Sequence, residues 1–143
     1  MQGNSFFTRH LTPLINILSG KERIVKHMAN SGLSGPYTLT AENIDLIVVY
    51  KSPGAYALGH LNSEGGYIID YVGRSDSDIN NRLKSWVNKG YNSFKYGYFN
   101  SPLSAFEKEC TLYHDFGNNR NNKEHPARPV NSYWLCPVCS FFR

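Results

Sequence analysis

From residue 54 onward the chain alternates short aromatic and β-branched runs with stretches whose apolar residues recur at helical spacing. Residues 56–59 and 67–72 are runs of the first kind, and the turn formers of residues 61–66 between them predict a β-hairpin. Period-2 alternation puts Tyr67, Ile69 and Tyr71 on one face and Ile68, Asp70 and Val72 on the other. Neither face is cleanly polar, so the hairpin should be covered on both sides and central to the fold.

A helix follows, with Ser75 or Ser77 as N-cap, Asp76 and Asp78 in its first turn, and an end near Asn88 or Lys89 closed by Gly90. Its apolar arc is Ile79, Leu83, Trp86 and Val87, with Arg82 at the edge beside Trp86. That position suits either a solvated flank residue or one that reaches into a neighbouring cleft. Residues 94–99 alternate as a third strand. Ser101 and Pro102 then open another helix, which Gly117 closes.

On this last helix Leu103, Ala105, Phe106, Cys110, Leu112, Tyr113 and Phe116 cover an apolar arc about 180° wide. Glu109 projects from near its middle, whereas Glu107, Lys108, Thr111, His114 and Asp115 lie opposite. A carboxylate among apolar side chains is costly unless it is paired, hydrogen-bonded or bound to metal. Glu109 therefore needs a partner, in a structural salt bridge or in a metal or catalytic site.

Four sequence features thus occur in order: Gly54-Ala55-Tyr56, Tyr71-Val72-Gly73, Arg82-Leu83, and Ala105 four residues before Glu109. This ordered set, spanning residues 53 to 122, resembles the GIY-YIG nuclease family. The resemblance implies a phosphodiesterase in which Glu109 binds one divalent cation, Mg2+ or Mn2+, by oxygen ligation shared with water and phosphate. Tyr56 would serve as general base or position the attacking water, Tyr71 would hydrogen-bond near the same phosphate, and Arg82 would stabilise its developing charge. A tyrosine with an ordinary pKa of about 10 is a poor base, so both roles for Tyr56 stay open. An asparagine downstream of the glutamate often completes such sites; Asn118, Asn119, Asn121 and Asn122 compete, and Asn122 is the expected one. Two positions depart from the family pattern. Ala55 replaces the middle isoleucine, which touches packing. Trp86 stands where many members carry histidine, so proton transfer from that histidine is lost.

Composition adds a partner class. The chain carries a net charge of +4, and between Ile79 and Phe106 it has Arg82, Lys84, Lys89 and Lys95 but no acidic residue. Arg74, Lys84, Lys89 and Lys95 are the candidate contacts to a nucleic-acid backbone. The aromatics interleaved there, including Tyr91, Phe94, Tyr96 and Tyr98, either stack on bases or belong to the core. Double-stranded DNA is the expected partner. At 143 residues and 41% hydrophobic, the chain suffices for one domain with a sizeable core. No stretch approaches a membrane span and no signal-peptide pattern opens the chain, which points to an intracellular protein, cytoplasmic or nucleoid-associated, with no membrane partner. An amphipathic helix within residues 5–31 would either pack on the sheet or mediate a homodimer.

Cys136-Pro137-Val138-Cys139 is half of a zinc knuckle, and a structural site needs four tetrahedral ligands. His114 and His125 with Cys136 and Cys139 would make a mixed thiolate and imidazole zinc site. Four cysteines shared across a dimer, or a metal-free tail, are the other readings. His125 could also assist the nuclease site, or be a surface or packing residue of the loop. The expectation is an α/β (α+β) domain over residues 1–143, with a small, mainly antiparallel sheet of about three strands flanked by helices. An N-terminal extension would cover residues 1–50 and a CxxC tail residues 125–143. It would act as a metal-dependent DNA endonuclease. The competing readings are a catalytically silent nucleic-acid-binding domain and a zinc-stabilised interaction module.

Overall fold

The computed structural model of the protein describes residues 30–116 and 121–143. Seven elements follow in the order β1 (Ser34–Thr38), α1 (Ala41–Ile47), β2 (Gly54–Leu61), β3 (Tyr67–Ser75), α2 (Ile79–Lys84), β4 (Ser93–Tyr98) and α3 (Pro102–Asp115). The fold is α+β. Its sheet has four strands in the order β1-β4-β2-β3, every neighbouring pair antiparallel. The fourth strand, β1, and helix α1 lie in the stretch read from sequence only as an extension. The helix expected over residues 5–31 lies outside the described residues, save its last two positions.

Alternation along β2 sorts side chains between two layers. Tyr56 and Leu58 join Leu39, Ile44, Ile79, Leu83 and Phe94 in the core beneath α1 and α2. Ala55 and Ala57 face the other way, with Val72, Leu112 and Phe116 under α3. Ala55 is fully buried there, so the alanine of the Gly-Ala-Tyr motif is a packing choice.

The alternation expected for β3 fails at one point. Leu58 pairs with Tyr71 and Gly59 with Ile69, so Asp70 is the extra residue of a β-bulge. The bulge shifts the phase: Tyr67 and Ile69 face α3, but Tyr71 moves to the side of Tyr56 and Val72 joins the α3 side. The two motif tyrosines share a face because of it. β3 is also an edge strand, so only β2 of the hairpin is central.

Two glycines of the motifs admit close approaches. A Cβ on Gly54 would lie 2.7 Å from the Gly97 carbonyl oxygen and 2.9 Å from Ile79 Cβ, so glycine lets the start of α2 rest on β2. A Cβ on Gly73, the residue opposite Tyr56, would run into the Tyr56 phenol, 2.6 Å from Cζ.

Helix α2 is shorter than its apolar periodicity suggests. Its N-cap is Asp78, which accepts from the Asn81 N–H at 3.1 Å, and not Ser75 or Ser77. Ser75 instead turns the chain before it, accepting from the Asp78 N–H at 2.9 Å. At the C-terminal end the Ser85 hydroxyl bonds the Arg82 carbonyl at 2.6 Å, and the chain continues in i→i+3 turns to Gly90. Ser101 caps α3 through a reciprocal box with Ser104, with Pro102 at the first turn as expected.

Helix α3 is buried on two sides. Leu112 and Phe116 meet the sheet, whereas Phe106 and Cys110 meet Cys136, Trp134, Cys139 and Phe142 of the C-terminal segment. The broad apolar arc therefore serves two packing surfaces. No helix among the described residues is long and apolar enough to cross a membrane.

Candidate functional site

A cleft of about 600 Å3 opens where β3, the start of α2, the middle of α3 and residues 121–127 meet. Tyr56, Tyr71, Arg82, Glu109 and Asn122 all line it, together with Gly73, Arg74, Asp76, Lys123 and His125. Its place beside an edge strand lets groups from both faces of the sheet converge.

Tyr56 is 1% exposed, and its hydroxyl oxygen accepts a hydrogen bond of 2.7 Å from the indole N–H of Trp86. The resemblance implies a lost histidine at Trp86; the indole supplies a donor to the tyrosine instead. Burial pushes the Tyr56 phenol well above its ordinary value, against the pull of the Trp86 hydrogen bond and of the Arg82 charge. Tyr71 is raised as well, first by burial and then by the negative charge of Glu109. Its ring packs 4.9 Å from Trp86 and 6.4 Å from both Tyr56 and Tyr91.

The partner that Glu109 requires is Arg74. Arg74 Nη1 donates to Glu109 Oε1 at 2.7 Å and to the Ala127 carbonyl at 2.9 Å, while Nε donates to Asp76 at 2.7 Å. The guanidinium also lies 5.1 Å from the centre of the Phe106 ring. Burial pushes the Glu109 carboxyl up, and Arg74 pulls it back only part of the way. Burial works against the charge of Arg74 too, but its two carboxylates outweigh that. Arg74, expected among the nucleic-acid contacts, is therefore committed to internal partners.

The other expected cations also differ in availability. Arg82 stands exposed on α2, and none of the ion pairs among the described residues includes it. Lys84 pairs with Asp45 at 2.5 Å, and Lys89 reaches the Ser85 carbonyl at 3.3 Å. Lys95 is a correction: it is only 7% exposed, lies 5.4 Å from the centre of the Tyr67 ring, and is held below its ordinary pKa by burial. Its burial among the described residues sets it apart from cations free to meet a phosphate backbone. Lys123, which sequence reasoning passed over, lines the cleft.

Asn122 is an anchor. Its carboxamide oxygen accepts from the Val72 N–H at 2.7 Å and its nitrogen donates to the Val72 carbonyl at 3.0 Å. It thus supplies the partner that the open edge of β3 lacks. Asn121 bonds the Tyr91 hydroxyl at 3.0 Å; Asn118 and Asn119 lie outside the described residues.

Beyond the cleft wall, His114, His125, Cys136 and Cys139 bring their ligand atoms within 4.8 Å of one another. A tetrahedral ion with bonds of about 2.0–2.3 Å needs ligand atoms about 3.3–3.8 Å apart. Two pairs already meet this: Cys136 Sγ and His114 Nε2, and Cys139 Sγ and His125 Nε2, each at 3.5 Å. The cluster could hold a metal such as zinc. His125 Nδ1 lies 3.0 Å from the Pro126 carbonyl, a bond that sets Nε2 as the free ligand nitrogen. Each sulfur accepts a backbone N–H from two residues on, Val138 to Cys136 and Phe141 to Cys139, both at 3.4 Å. Burial works against a thiolate at Cys136, but the N–H groups of Val138 and Cys139 and the His125 imidazole bring it down to about 6. Cys110, by contrast, is a buried thiol whose pKa burial raises.

The CxxC spacing supplied two ligands in the sequence, and the histidines were candidates without a geometric reason. His125, a candidate from sequence both for the zinc site and for the cleft, belongs to the cluster and also lines the cleft; the pairing of Arg74 with Glu109 across 35 positions had no sequence signal. In comparisons with known proteins, no family model, no curated protein and no solved structure matches the chain.

Proposed function

We propose that the protein is a metal-dependent endonuclease of the GIY-YIG type that hydrolyses phosphodiester bonds in double-stranded DNA. The observation that carries this reading is the convergence of Tyr56, Tyr71, Arg82 and Glu109 on one cleft from β2, β3, α2 and α3. A core arrangement alone gives no reason for a buried carboxylate, an exposed arginine and two phenols to share one opening.

The donor set suits a hard cation. Glu109 offers a carboxylate held at one oxygen by Arg74, and Mg2+ or Mn2+ commonly takes one or two protein carboxylates and completes its shell with water and substrate phosphate. Bound there, such a cation would neutralise charge at the scissile phosphate. Arg82 would pair with the phosphate oxygens, with Lys123 at the mouth of the cleft. Tyr56 accepts from Trp86 and so keeps its own O–H to donate into the cleft; its raised pKa supports orienting the attacking water over acting as a base. Arg74 would hold the Glu109 carboxylate in place.

The second metal would be zinc, in the cluster of His114, His125, Cys136 and Cys139, whose thiolate and imidazole ligands select it over magnesium. That site explains the tail and leaves the cleft unexplained, so an interaction module alone is the weaker reading.

Supercoiled plasmid incubated with metal-stripped protein should stay intact in EDTA and be nicked once Mg2+ or Mn2+ is restored. Tight, salt-sensitive binding with no cleavage under any metal would leave a binding domain instead.

A further inference from the structure

We propose that the metal of the His114, His125, Cys136 and Cys139 cluster is what builds the outer wall of the cleft, so that its loss opens the site while the sheet stays folded. The inference rests on the zinc reading above and is independent of whether DNA is the substrate.

Residues 121–143 contain no helix or strand, and only Pro126 and Cys136 among them are buried. A segment of this length with so little apolar burial does not offset its own ordering entropy and must be held by specific ties. The four ligands supply them: His114 comes from α3, His125 from the wall, and Cys136 and Cys139 from the tail. Because α3 is fixed on the sheet through Leu112 and Phe116, a metal on His114 would clamp an irregular segment to a rigid element.

His125 transmits that clamp to the cleft. It is three residues from Asn122, whose carboxamide is bonded to Val72 on the edge of β3. It is two residues from Ala127, whose carbonyl shares Arg74 Nη1 with the Glu109 carboxylate, at 2.9 and 2.7 Å. Release of His125 would leave the hydrogen bonds at Asn121, Asn122 and Ala127 to hold the wall. Arg74 would lose a partner that positions it on Glu109. Tyr56, Tyr71 and Arg82 stand on β2, β3 and α2, and no hydrogen bond, ion pair or ring contact among the described residues joins them to a ligand, so their arrangement would survive.

Hydrogen exchange on the full chain tests this directly. The purified protein should hold one Zn2+, and Co2+ in its place should give the visible d–d bands of a tetrahedral thiolate site. Removal of zinc with a chelator should speed amide exchange over residues 121–128 and the tail by about 10-fold or more, leave β2, β3, β4 and α2 protected, and reverse when Zn2+ is added back. Where the loaded protein nicks DNA, zinc removal should slow nicking by about 10-fold and raise the Mg2+ concentration it needs, as the loss of a supporting contact does. Asn122→Ala, which leaves all four ligands, should loosen residues 121–128 with zinc still bound; this keeps the test informative if a Cys136→Ser, Cys139→Ser variant fails to fold. Zinc bound but exchange over 121–128 unchanged on its removal would overturn the proposal. Exchange rising evenly through the sheet, or a protein that holds no zinc, would do so as well. A loaded protein that shows the exchange pattern but never nicks DNA would sink the nuclease reading and uphold this one.

Discussion

The two walls of the cleft are made in different ways. Tyr56, Tyr71 and Arg82 stand on strands and a helix whose neighbours Leu58, Ile79, Leu83 and Phe94 are fully buried, so hydrophobic packing sets their positions. The opposite wall, residues 121–127, has no regular structure; the Asn121 and Asn122 carboxamides and one guanidinium bond it, and His125 ties it to a cluster that could hold a metal. Packing places the first wall from many small contributions, and the second depends on a few directional bonds. The difference teaches where each wall is vulnerable: the first to changes of volume, the second to loss of a single polar group and, on the zinc proposal, of the ion.

Glu109 lies between the walls, and substituting it should have the largest effect. Glu109→Gln should lower Mg2+-dependent nicking by about 10^3-fold, the upper range for removing one charge-stabilising group, with DNA affinity and fold retained. The exposed Glu107→Gln is the matched control and should be near neutral. Full activity in the Glu109 variant would place the cation elsewhere.

On the packed wall, Tyr56→Phe and Arg82→Ala should each reduce the cleavage rate by about 10^2-fold. If both cut at the parental rate, the chemistry does not belong to this wall. Gly73→Ala probes the same wall through volume. The added methyl meets the Tyr56 phenol, so it should cost about 1–3 kcal/mol of stability and displace the hydroxyl, read as a lower melting temperature together with slower nicking. A variant as stable as the parent would mean that the fit of Tyr56 over β3 is loose.

The smallest effect concerns pH. Burial raises the Glu109 carboxyl above its ordinary value of 4.5, so the folded protein keeps this proton to a higher pH than the unfolded chain does. The contribution to stability is full below that ordinary value and is lost as pH rises through the folded value. Glu109→Gln should flatten this part of the stability profile. The comparison is read by thermal melting of the metal-free protein across pH. A parent profile no steeper than that of the variant would show that Glu109 is better compensated than its burial implies.

Much of the packed wall was legible in the sequence because it follows from local rules. Alternation gave β2, β3 and β4, Ser101 and Pro102 gave the start of α3, and the position of Glu109 in an apolar arc showed that it needed a partner. β1 and α1 were passed over because they are short and weakly patterned. In the five residues of β1 only Tyr37 is half-buried, and α1 buries Ile44 alone.

What the sequence by itself determined is therefore the set of elements and the chemistry they carry: two tyrosines beside glycines, an arginine on one helix, a carboxylate on the next, and half of a thiolate site. Tertiary structure decided the rest, because those outcomes depend on pairings between distant residues. The Asp70 bulge arises only when β3 pairs with β2, and it turns Tyr71 toward Tyr56. Whether Glu109 meets Arg74 or another cation, and whether His114 and His125 reach Cys136 and Cys139, is fixed when α3 is buried between the sheet and the tail. Local periodicity carries no information on such contacts; they come from the packing of whole elements against one another.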